Sequence, residues 1–294
     1  MPIRSRGDLV PWVVRALWAT LPFTVGPVLA DALSETSSPV RTLASVTLWA
    51  AWALGMLAAC VPHPLALTVL RVMTPAGAVL AVGAALWDHP SAVAVGWSAV
   101  VAAWSFSPAF GQWCVNGPAY PNERRYLLRA PGPVAAGVAG LVVAWTVGIA
   151  GLCAGPLLVA ARQWVAGAIV TVLGWALAVI FLRSLHNLSR RWAVFVPAGV
   201  VVHDPVSLRD PVLFARRMVA GLGPTAARSG HVVDLTQRAV GLALELRLRE
   251  PVTITLMKPG QRLGVQAEAT AVVFTPTRPG AVLEEARRRR VPSG

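Results

Sequence analysis

The sequence predicts an α-helical membrane bundle of about six transmembrane helices, followed by a small, mainly-β domain with a C-terminal helix. Three observations support this prediction. The 294-residue chain is 55% hydrophobic and only 13% charged, whereas soluble domains carry about 25% charged residues. Long apolar runs fill residues 1–189, and short alternating segments fill residues 190–294. Such a chain cannot bury its apolar surface in one aqueous core, so a lipid bilayer is its expected solvent.

Six apolar runs are long enough to cross the hydrocarbon core, which requires about 20 helical residues. The runs cover residues 12–30, 42–61, 65–87, 91–114, 134–160 and 163–182. A Val-Pro-His-Pro sequence at 61–64 separates the second run from the third, because proline removes a backbone donor and favours a turn. The first run also fits a signal peptide with an Ala-Asp-Ala cleavage site at 30–32, which would leave five spans.

The distribution of arginine predicts the topology, because cytoplasmic loops are enriched in Lys and Arg. If the N-terminus is inside, the outer face carries only Arg41 and Arg162. The inner face then carries Arg4, Arg6, Arg15, Arg71, Arg124, Arg125, Arg129, Arg183, Arg190 and Arg191. We therefore expect a multi-pass protein of the plasma membrane with both termini in the cytoplasm.

The segment NERRYLLRAPG at 122–132 places three arginines between two stretches without charge. We interpret it as the cytoplasmic anchor of the loop between the fourth and fifth spans. Arginines near an anionic membrane surface can each contribute about 1 kcal/mol of binding. The residues expected to contact anionic lipid or a partner are Arg124, Arg125, Arg129, Arg183, Arg190, Arg191, Arg287 and Arg288.

The period of the hydrophobic pattern changes to two after residue 191, which is typical of half-buried strands. The segments WAVFV and VVVH flank a short turn at 197–199 and predict a hairpin. Alternation continues in GLALELRLRE, where the apolar positions are Leu242, Leu244, Leu246 and Leu248. Pro251 is expected to separate this strand from VTITLM at 252–257. Residues 281–290 predict a helix, with acidic residues early and arginines late, as the helix dipole favours.

The closing segment VVFTPTRPGAVLEEARRR and the hairpin RWAVFVPAGVVVHD are similar to the end and the start of bacterial pleckstrin-homology-like (PH-like) domains attached to membrane spans. The whole chain resembles uncharacterised actinobacterial integral membrane proteins with such a tail. This resemblance implies a PH-like barrel over residues 190–294 that binds lipid or protein. It also implies a setting such as envelope assembly or cell division.

The sequence contains few groups that point to catalysis, a metal or a cofactor, and we expect none of the three. The cysteines at 60, 114 and 153 fall in apolar segments without a Cys-x-x-Cys or Cys/His spacing. The candidate catalytic groups His203, Asp204, Ser229, His231 and Asp234 lie at predicted strand ends and turns, and a Ser-His-Asp site would require them to meet in a cleft. We interpret them as structural residues and expect a non-enzymatic protein.

The expected partners are the lipid bilayer and a protein bound at the cytoplasmic domain. Nucleic acid is not expected, since the positive charge is spread over both halves of the chain instead of one basic module. The sequence carries no signal for an oligomeric state. A GxxxG pattern at 151–155 predicts close helix packing, either inside one bundle or at a dimer seam.

The alternative prediction is a transporter or lipid-handling protein with a regulatory cytoplasmic tail. Arg15 and Arg71 lie inside apolar runs, where an ionisable residue is a functional candidate. Both are near the predicted inner face, so their side chains could instead extend to water. Transport or lipid handling would predict a polar cavity that contains Arg15, Arg71 or Asn116.

Overall fold

The structure is a computed structural model, and it describes residues 6–132, 134–225, 232–258 and 261–292. The helices are α1 (Arg6–Ala19), α2 (Leu21–Thr24), α3 (Gly26–Ser34), α4 (Ser38–Cys60), α5 (Pro64–Leu86), α6 (Ala92–Ser105), α7 (Pro108–Asn116), α8 (Val134–Ala160), α9 (Trp164–Ser189) and α10 (Pro279–Arg288). The strands are β1 (Arg124–Leu127), β2 (Trp192–Val196), β3 (Gly199–His203), β4 (Val212–Ala215), β5 (Val219–Pro224), β6 (Val232–Asp234), β7 (Leu244–Lys258) and β8 (Gln261–Phe274).

The described part of the chain contains five helical stretches that are long and apolar enough to cross a membrane. They are Leu9–Ser34, Ser38–Cys60, Pro64–Leu86, Ala139–Ala160 and Trp164–Ser189. Helices α6 and α7 pass the same test as a pair bent by 51°, which raises the number to six if the pair is one span. The prediction of about six apolar spanning helices is therefore confirmed at this level.

The structure divides into two compact units, which are described separately. The helical unit consists of Met1–Gly117 and Val142–His186, and the C-terminal unit consists of Pro118–Leu141 and Asn187–Gly294. The C-terminal unit therefore includes a segment that precedes α9 as well as the tail. That segment contains the arginine-rich sequence at 122–132.

Small residues allow close packing in the helical unit. A methyl group added to Gly151 would clash with the backbone of Gly174, and one added to Gly155 would clash with Thr171. The GxxxG pattern at 151–155 therefore packs α8 against α9 within one chain. Helices α1 and α4 are joined by reciprocal hydrogen bonds, from Trp18 Nε1 to the Trp52 carbonyl (2.8 Å) and from Trp52 Nε1 to the Trp18 carbonyl (3.1 Å).

The described strands of the C-terminal unit form two four-stranded sheets, in the orders β1-β2-β3-β4 and β5-β7-β8-β6. The pairs are antiparallel except for β6 with β8, which is parallel. The predicted single PH-like barrel is not confirmed, because the strands do not close into one sheet. The predicted hairpin is confirmed as β2 and β3, and the predicted C-terminal helix is confirmed as α10.

Strand β1 comes from the loop between α7 and α8, and the sequence analysis did not predict it. It pairs with β2 in the register Arg124–Phe195 to Leu127–Trp192. Tyr126, Leu127 and Leu128 are buried, so the loop contributes apolar residues to the C-terminal unit. β1 precedes α8 and β2 follows α9, so two helices that are each apolar enough to cross a membrane separate the paired strands. Two crossings would return the chain to the same side, which is compatible with the pairing.

The alternation predicted for the tail is confirmed in β7, where Leu244, Leu246 and Leu248 are all buried. Pro251 does not end this strand, contrary to the prediction. The β7–β8 ladder instead shifts its register between Arg247 and Val252. A register irregularity accommodates proline because the ladder hydrogen bond that proline cannot donate is already absent there.

We predict that the C-terminal unit depends on β1. Replacing Tyr126, Leu127 and Leu128 with serine removes buried apolar side chains, whose truncation costs about 2–5 kcal/mol each in a protein core. The C-terminal unit should then become sensitive to protease in membrane vesicles, as measured by loss of a C-terminal tag. The control variant Arg124→Ser changes an exposed residue of the same strand and should remain resistant. Equal resistance of both variants would show that β1 is dispensable.

Candidate functional site

Arg191 is a fully buried cation of the C-terminal unit and lies two residues after the end of α9. Its side chain is 1% exposed and forms a bidentate pair with Asp204, through Nε to Oδ1 (2.8 Å) and Nη2 to Oδ2 (2.7 Å). The remaining donors bond backbone carbonyls, from Nη1 to Arg129 (2.8 Å) and from Nη2 to Leu235 (3.1 Å). Four of the five N–H donors of this guanidinium are thus hydrogen-bonded, which offsets much of the cost of burying its charge.

The Asp204 carboxylate is also fully used. It accepts hydrogen bonds from the Val206 backbone N–H (3.1 Å) and the Ser207 hydroxyl (2.7 Å). Gln237 extends the network by donating from Nε2 to Ser207 Oγ (3.0 Å). Arg191 was predicted to contact lipid or a partner, and this prediction is wrong, because the side chain is a buried structural cation.

The other predicted contact residues lie at accessible positions. Arg125 is half-buried, lies over the Trp192 ring at 5.5 Å and pairs with Glu123 at 3.2 Å. The exposed residues are Arg124 on β1, Arg129 after β1, Arg183 on α9, Arg190 before β2, and Arg287 and Arg288 at the end of α10. In the C-terminal unit, Arg124 lies opposite Phe195 of the neighbouring strand β2. Arg183 belongs to the helical unit.

A groove of about 330 Å³ lies between the β2–β3 turn and the C-terminal end of α10. Its apolar lining comes from Phe195, Val196, Pro197, Val200, Val219, Val291 and Pro292. Its basic lining comes from Arg216, Arg288, Arg289 and Arg290. We call this feature the arginine groove. Its volume is in the range of small-molecule and peptide-anchor pockets, about 300–1,000 Å³.

Hydrogen bonds to backbone and to one carboxylate hold three of the four groove arginines in place, namely Arg216, Arg288 and Arg289. Arg216 Nη2 donates to the Arg289 carbonyl at 2.7 Å and thereby caps the end of α10. Glu285, which is 3% exposed, accepts from Arg289 Nε at 2.6 Å and from Arg288 Nη2 at 3.0 Å. Arg289 Nη2 donates to the Asn122 carbonyl at 2.9 Å. Among these residues, one carboxylate therefore stands against four arginines, which leaves an excess of positive charge at the groove.

This arrangement is suited to an anionic ligand with an apolar part. Planar guanidinium groups bind carboxylate and phosphate through two parallel hydrogen bonds, and Val196, Pro197, Val291 and Pro292 offer partly accessible apolar surface. The sequence analysis included Arg288 but did not identify Arg216. Arg216 follows β4, and nothing in its local sequence indicates that it meets the end of α10.

Of the hypothetical catalytic groups that the structure describes, His203 and Asp204 are engaged in structural contacts. Asp204 is paired with Arg191, and the His203 ring lies on Trp192 with 5.1 Å between centroids. Ser229 and His231 lie outside the described residues. Within the described ranges, no group of three or more His, Cys, Asp or Glu side chains is placed to hold a metal ion.

Of the two arginines inside apolar runs, Arg15 has a clear structural partner. Its Nε donates to the Ala59 carbonyl at 3.1 Å and its Nη2 to the Cys60 carbonyl at 3.4 Å, at the end of α4. It also lies over the Trp12 ring at 4.6 Å. A cation at a helix C-terminus satisfies orphan carbonyls and the dipole, which accounts for Arg15 without a transport pathway.

No known protein family, curated protein or solved structure matches the chain. The chemistry of the site itself is therefore the basis for a functional proposal.

We predict that breaking the Arg191–Asp204 pair unfolds the C-terminal unit. Arg191→Met or Asp204→Asn leaves a buried charge without its partner, which costs about 3–5 kcal/mol. The neighbouring exposed Arg190→Gln should change stability by less than about 0.5 kcal/mol. Pulse proteolysis of the full chain in rising urea measures the three variants. A loss for Arg190→Gln equal to that for Arg191→Met would contradict a specific role of the buried pair.

We also predict a pH-dependent stability from His203. Burial and the nearby Arg190 and Arg125 lower its pKa below the ordinary 6.5, although Asp204 acts in the opposite direction. The unfolded chain therefore binds a proton more readily than the folded chain. The stabilisation is complete above pH 6.5 and decreases as the pH falls below it. His203→Leu should reduce the difference in unfolding temperature between pH 7.5 and pH 5; an unchanged difference would exclude His203 as the source.

Proposed function

We propose that this is a non-enzymatic integral membrane protein whose C-terminal unit recruits an anionic segment of a partner protein. The observation that carries the proposal is the arginine groove, which combines four arginines and an apolar lining with a single, already paired carboxylate. Acidic residues of a peptide would pair with the guanidinium forks, and its apolar side chains would contact Val196, Pro197 and Val291. Arginine is enriched among the residues that contribute most to binding at protein interfaces.

The arginine bias of the loops supports a cytoplasmic location for the C-terminal unit and the N-terminus. The pairing of β1 with β2 supports one part of this topology, since it keeps the loop before α8 and the tail after α9 on one side of the membrane. We propose that the membrane is the plasma membrane. The PH-like resemblance remains part of the proposal, and the two four-stranded sheets followed by the C-terminal helix α10 support it.

The shape of the site favours a protein segment over a bilayer surface. A concave groove admits a chain or a single side chain, whereas a flat headgroup surface contacts protruding residues. Arg124, Arg129, Arg190 and Arg287 are exposed outside the groove lining. These four arginines remain available for anionic lipid without competing for the groove.

A binding experiment with the full chain in zwitterionic nanodiscs tests the proposal. The probe is a fluorescent peptide that alternates Glu and Leu, and the matched control peptide carries Gln in place of Glu. Double substitution Arg288→Glu and Arg290→Glu should weaken binding of the acidic peptide at least about tenfold, because it replaces charge-assisted hydrogen bonds with like-charge repulsion. Arg247→Glu changes an exposed arginine of β7 outside the groove and should have little effect.

Three outcomes would count against the proposal. Equal binding of the Gln peptide would show that charge is not recognised. Equal weakening by Arg247→Glu would indicate a general electrostatic effect of net charge. Binding of vesicles with anionic lipid that depends on Arg288 and Arg290, without binding of the acidic peptide, would replace protein recruitment with lipid contact.

A further inference from the structure

The loop at 236–242, which we call the β6–β7 loop, exposes two large apolar side chains. Val240 is 65% exposed and Leu242 is 50% exposed. They are the two most exposed of the large apolar side chains that the structure describes after α9, ahead of Leu213 at 49% and Met257 at 39%. Arg238 in the same loop is also exposed. The loop therefore combines apolar and basic side chains at its surface.

Hydrogen bonds hold the β6–β7 loop in an uncommon backbone conformation. Gln237 and Arg238 have φ values of 51° and 58°, in the left-handed region that residues other than glycine rarely adopt. The Gln237 carbonyl accepts from the Gly132 N–H at 2.9 Å, and Gln237 Nε2 donates to Ser207 Oγ at 3.0 Å. Such a conformation persists only where its surroundings impose it, and it is often associated with function. The loop is thus fixed in shape by the rest of the C-terminal unit.

The same contacts place the loop next to both points where the C-terminal unit continues into apolar helices. Gly132, which donates to Gln237, precedes the first residue of α8, Val134, by two positions. Arg191, which follows the end of α9 by two positions, donates from Nη2 to the carbonyl of Leu235 at 3.1 Å. Both helices contain stretches that are apolar enough to cross a membrane. The start of α8 and the end of α9 are themselves part of the C-terminal unit.

A lipid bilayer is the surface expected at this end of the two helices. Helix α8 has 27 residues and is about 40 Å long, which exceeds the hydrocarbon core of about 30 Å. No charged residue occurs at 130–161, so the apolar environment can extend to the first turn of α8. Amphipathic segments at this depth bury their apolar side chains about 5–10 Å into the boundary between headgroups and acyl chains. Val240 and Leu242 are exposed where the same burial is available to them.

The charges around the loop favour anionic headgroups. Arg129 lies against the loop, since a methyl group added to Gly241 would be 2.9 Å from Arg129 Nε. Arg129, Arg190 and Arg238 are all exposed. One acid, Asp234, adjoins the loop, and its Oδ1 accepts a backbone N–H of the loop at 2.8 Å. Basic residues close to an anionic membrane surface are attracted to it, so these arginines suit the same surface as the apolar pair.

We propose that the β6–β7 loop inserts into the anionic headgroup region of the bilayer that α8 and α9 cross. Val240 and Leu242 enter the boundary between headgroups and acyl chains, and Arg129, Arg190 and Arg238 bind lipid phosphates through charge-assisted hydrogen bonds. Insertion fixes the orientation of the C-terminal unit against the membrane. None of these residues lines the arginine groove, so the groove remains open to a protein partner while the loop is inserted.

The test measures the depth of the loop in the full chain, with one chain in each nanodisc. The cysteines at 60, 114 and 153 are replaced with alanine, and a fluorophore is attached to Leu242→Cys or to the control Ala198→Cys. Ala198 is exposed in the β2–β3 turn, at the end of β2 away from α9. The fluorophore is quenched from the water by acrylamide and from the bilayer by lipids that carry a nitroxide near the headgroup. The discs contain either phosphatidylglycerol or phosphatidylcholine alone.

In discs with phosphatidylglycerol, the label at Leu242 should lose most of its quenching by acrylamide and be quenched by the lipid nitroxide. The label at Ala198 should show the reverse. Adding Arg238→Glu and Val240→Glu should return the Leu242 label to water, because carboxylates are repelled by anionic lipid and oppose burial of the loop. The matched control, Arg247→Glu and Leu213→Glu, changes one exposed arginine and one exposed apolar residue outside the loop and should leave the label inserted.

Three results would overturn the proposal. Equal acrylamide quenching at Leu242 and Ala198 would show that the loop lies in water, where its apolar pair would be left for a protein partner. Equal lipid quenching at the two positions would show that the bilayer does not select the loop. Equal insertion into phosphatidylcholine discs would remove the role of anionic headgroups. If the label at Leu242 prevents folding, as shown by protease sensitivity of a C-terminal tag, the same measurements are made with Val240→Cys.

Discussion

The C-terminal unit depends on one buried ion pair, formed by Arg191 and Asp204. A buried pair often contributes little net stability, since the cost of desolvation cancels much of the attraction, but loss of one partner is severe. Its contribution here is to specify which segments meet. The same guanidinium bonds the carbonyls of Arg129 and Leu235, so the loop before α8, the chain after α9 and the connection after β6 converge on a single side chain.

The apolar spans could be predicted from sequence because length and hydropathy are local properties. The hairpin, the leucines of β7 and the helix α10 could be predicted from the spacing of their apolar and charged residues. Strand β1 could not be predicted in the same way. It has four residues, begins with two arginines, and its partner β2 lies beyond two spans. The difference in exposure between Arg190 and Arg191 could not be predicted from sequence either. The two residues are identical neighbours, and Arg191 is the buried one because Asp204 and two backbone carbonyls bind it.

Arginine serves three physical purposes in this chain, and the positive-inside pattern alone does not separate them. Arg191 is a buried cation at a junction of backbone segments, and Arg15 and Arg216 satisfy carbonyls at the ends of helices. Arg288 and Arg290 line a groove with an excess of positive charge. A net charge of +13 therefore overstates the charge available to partners, because part of it is committed to carbonyls and carboxylates within the chain.

The origin of the C-terminal unit from two segments constrains the order of its folding. Residues Tyr126, Leu127 and Leu128 are synthesised before α8 and α9, yet the strand that covers them follows both helices. Until β2 is available, the three apolar side chains must remain exposed to water, where an unpaired strand edge promotes association. Glu123, Arg124, Arg125 and Arg129 surround them in sequence. Charges flanking an apolar strand oppose aggregation, which is the effect we expect of these residues before β2 is synthesised. In the folded unit, the carbonyl of Arg129 accepts a hydrogen bond from Arg191 and ties the end of the loop to the start of β2.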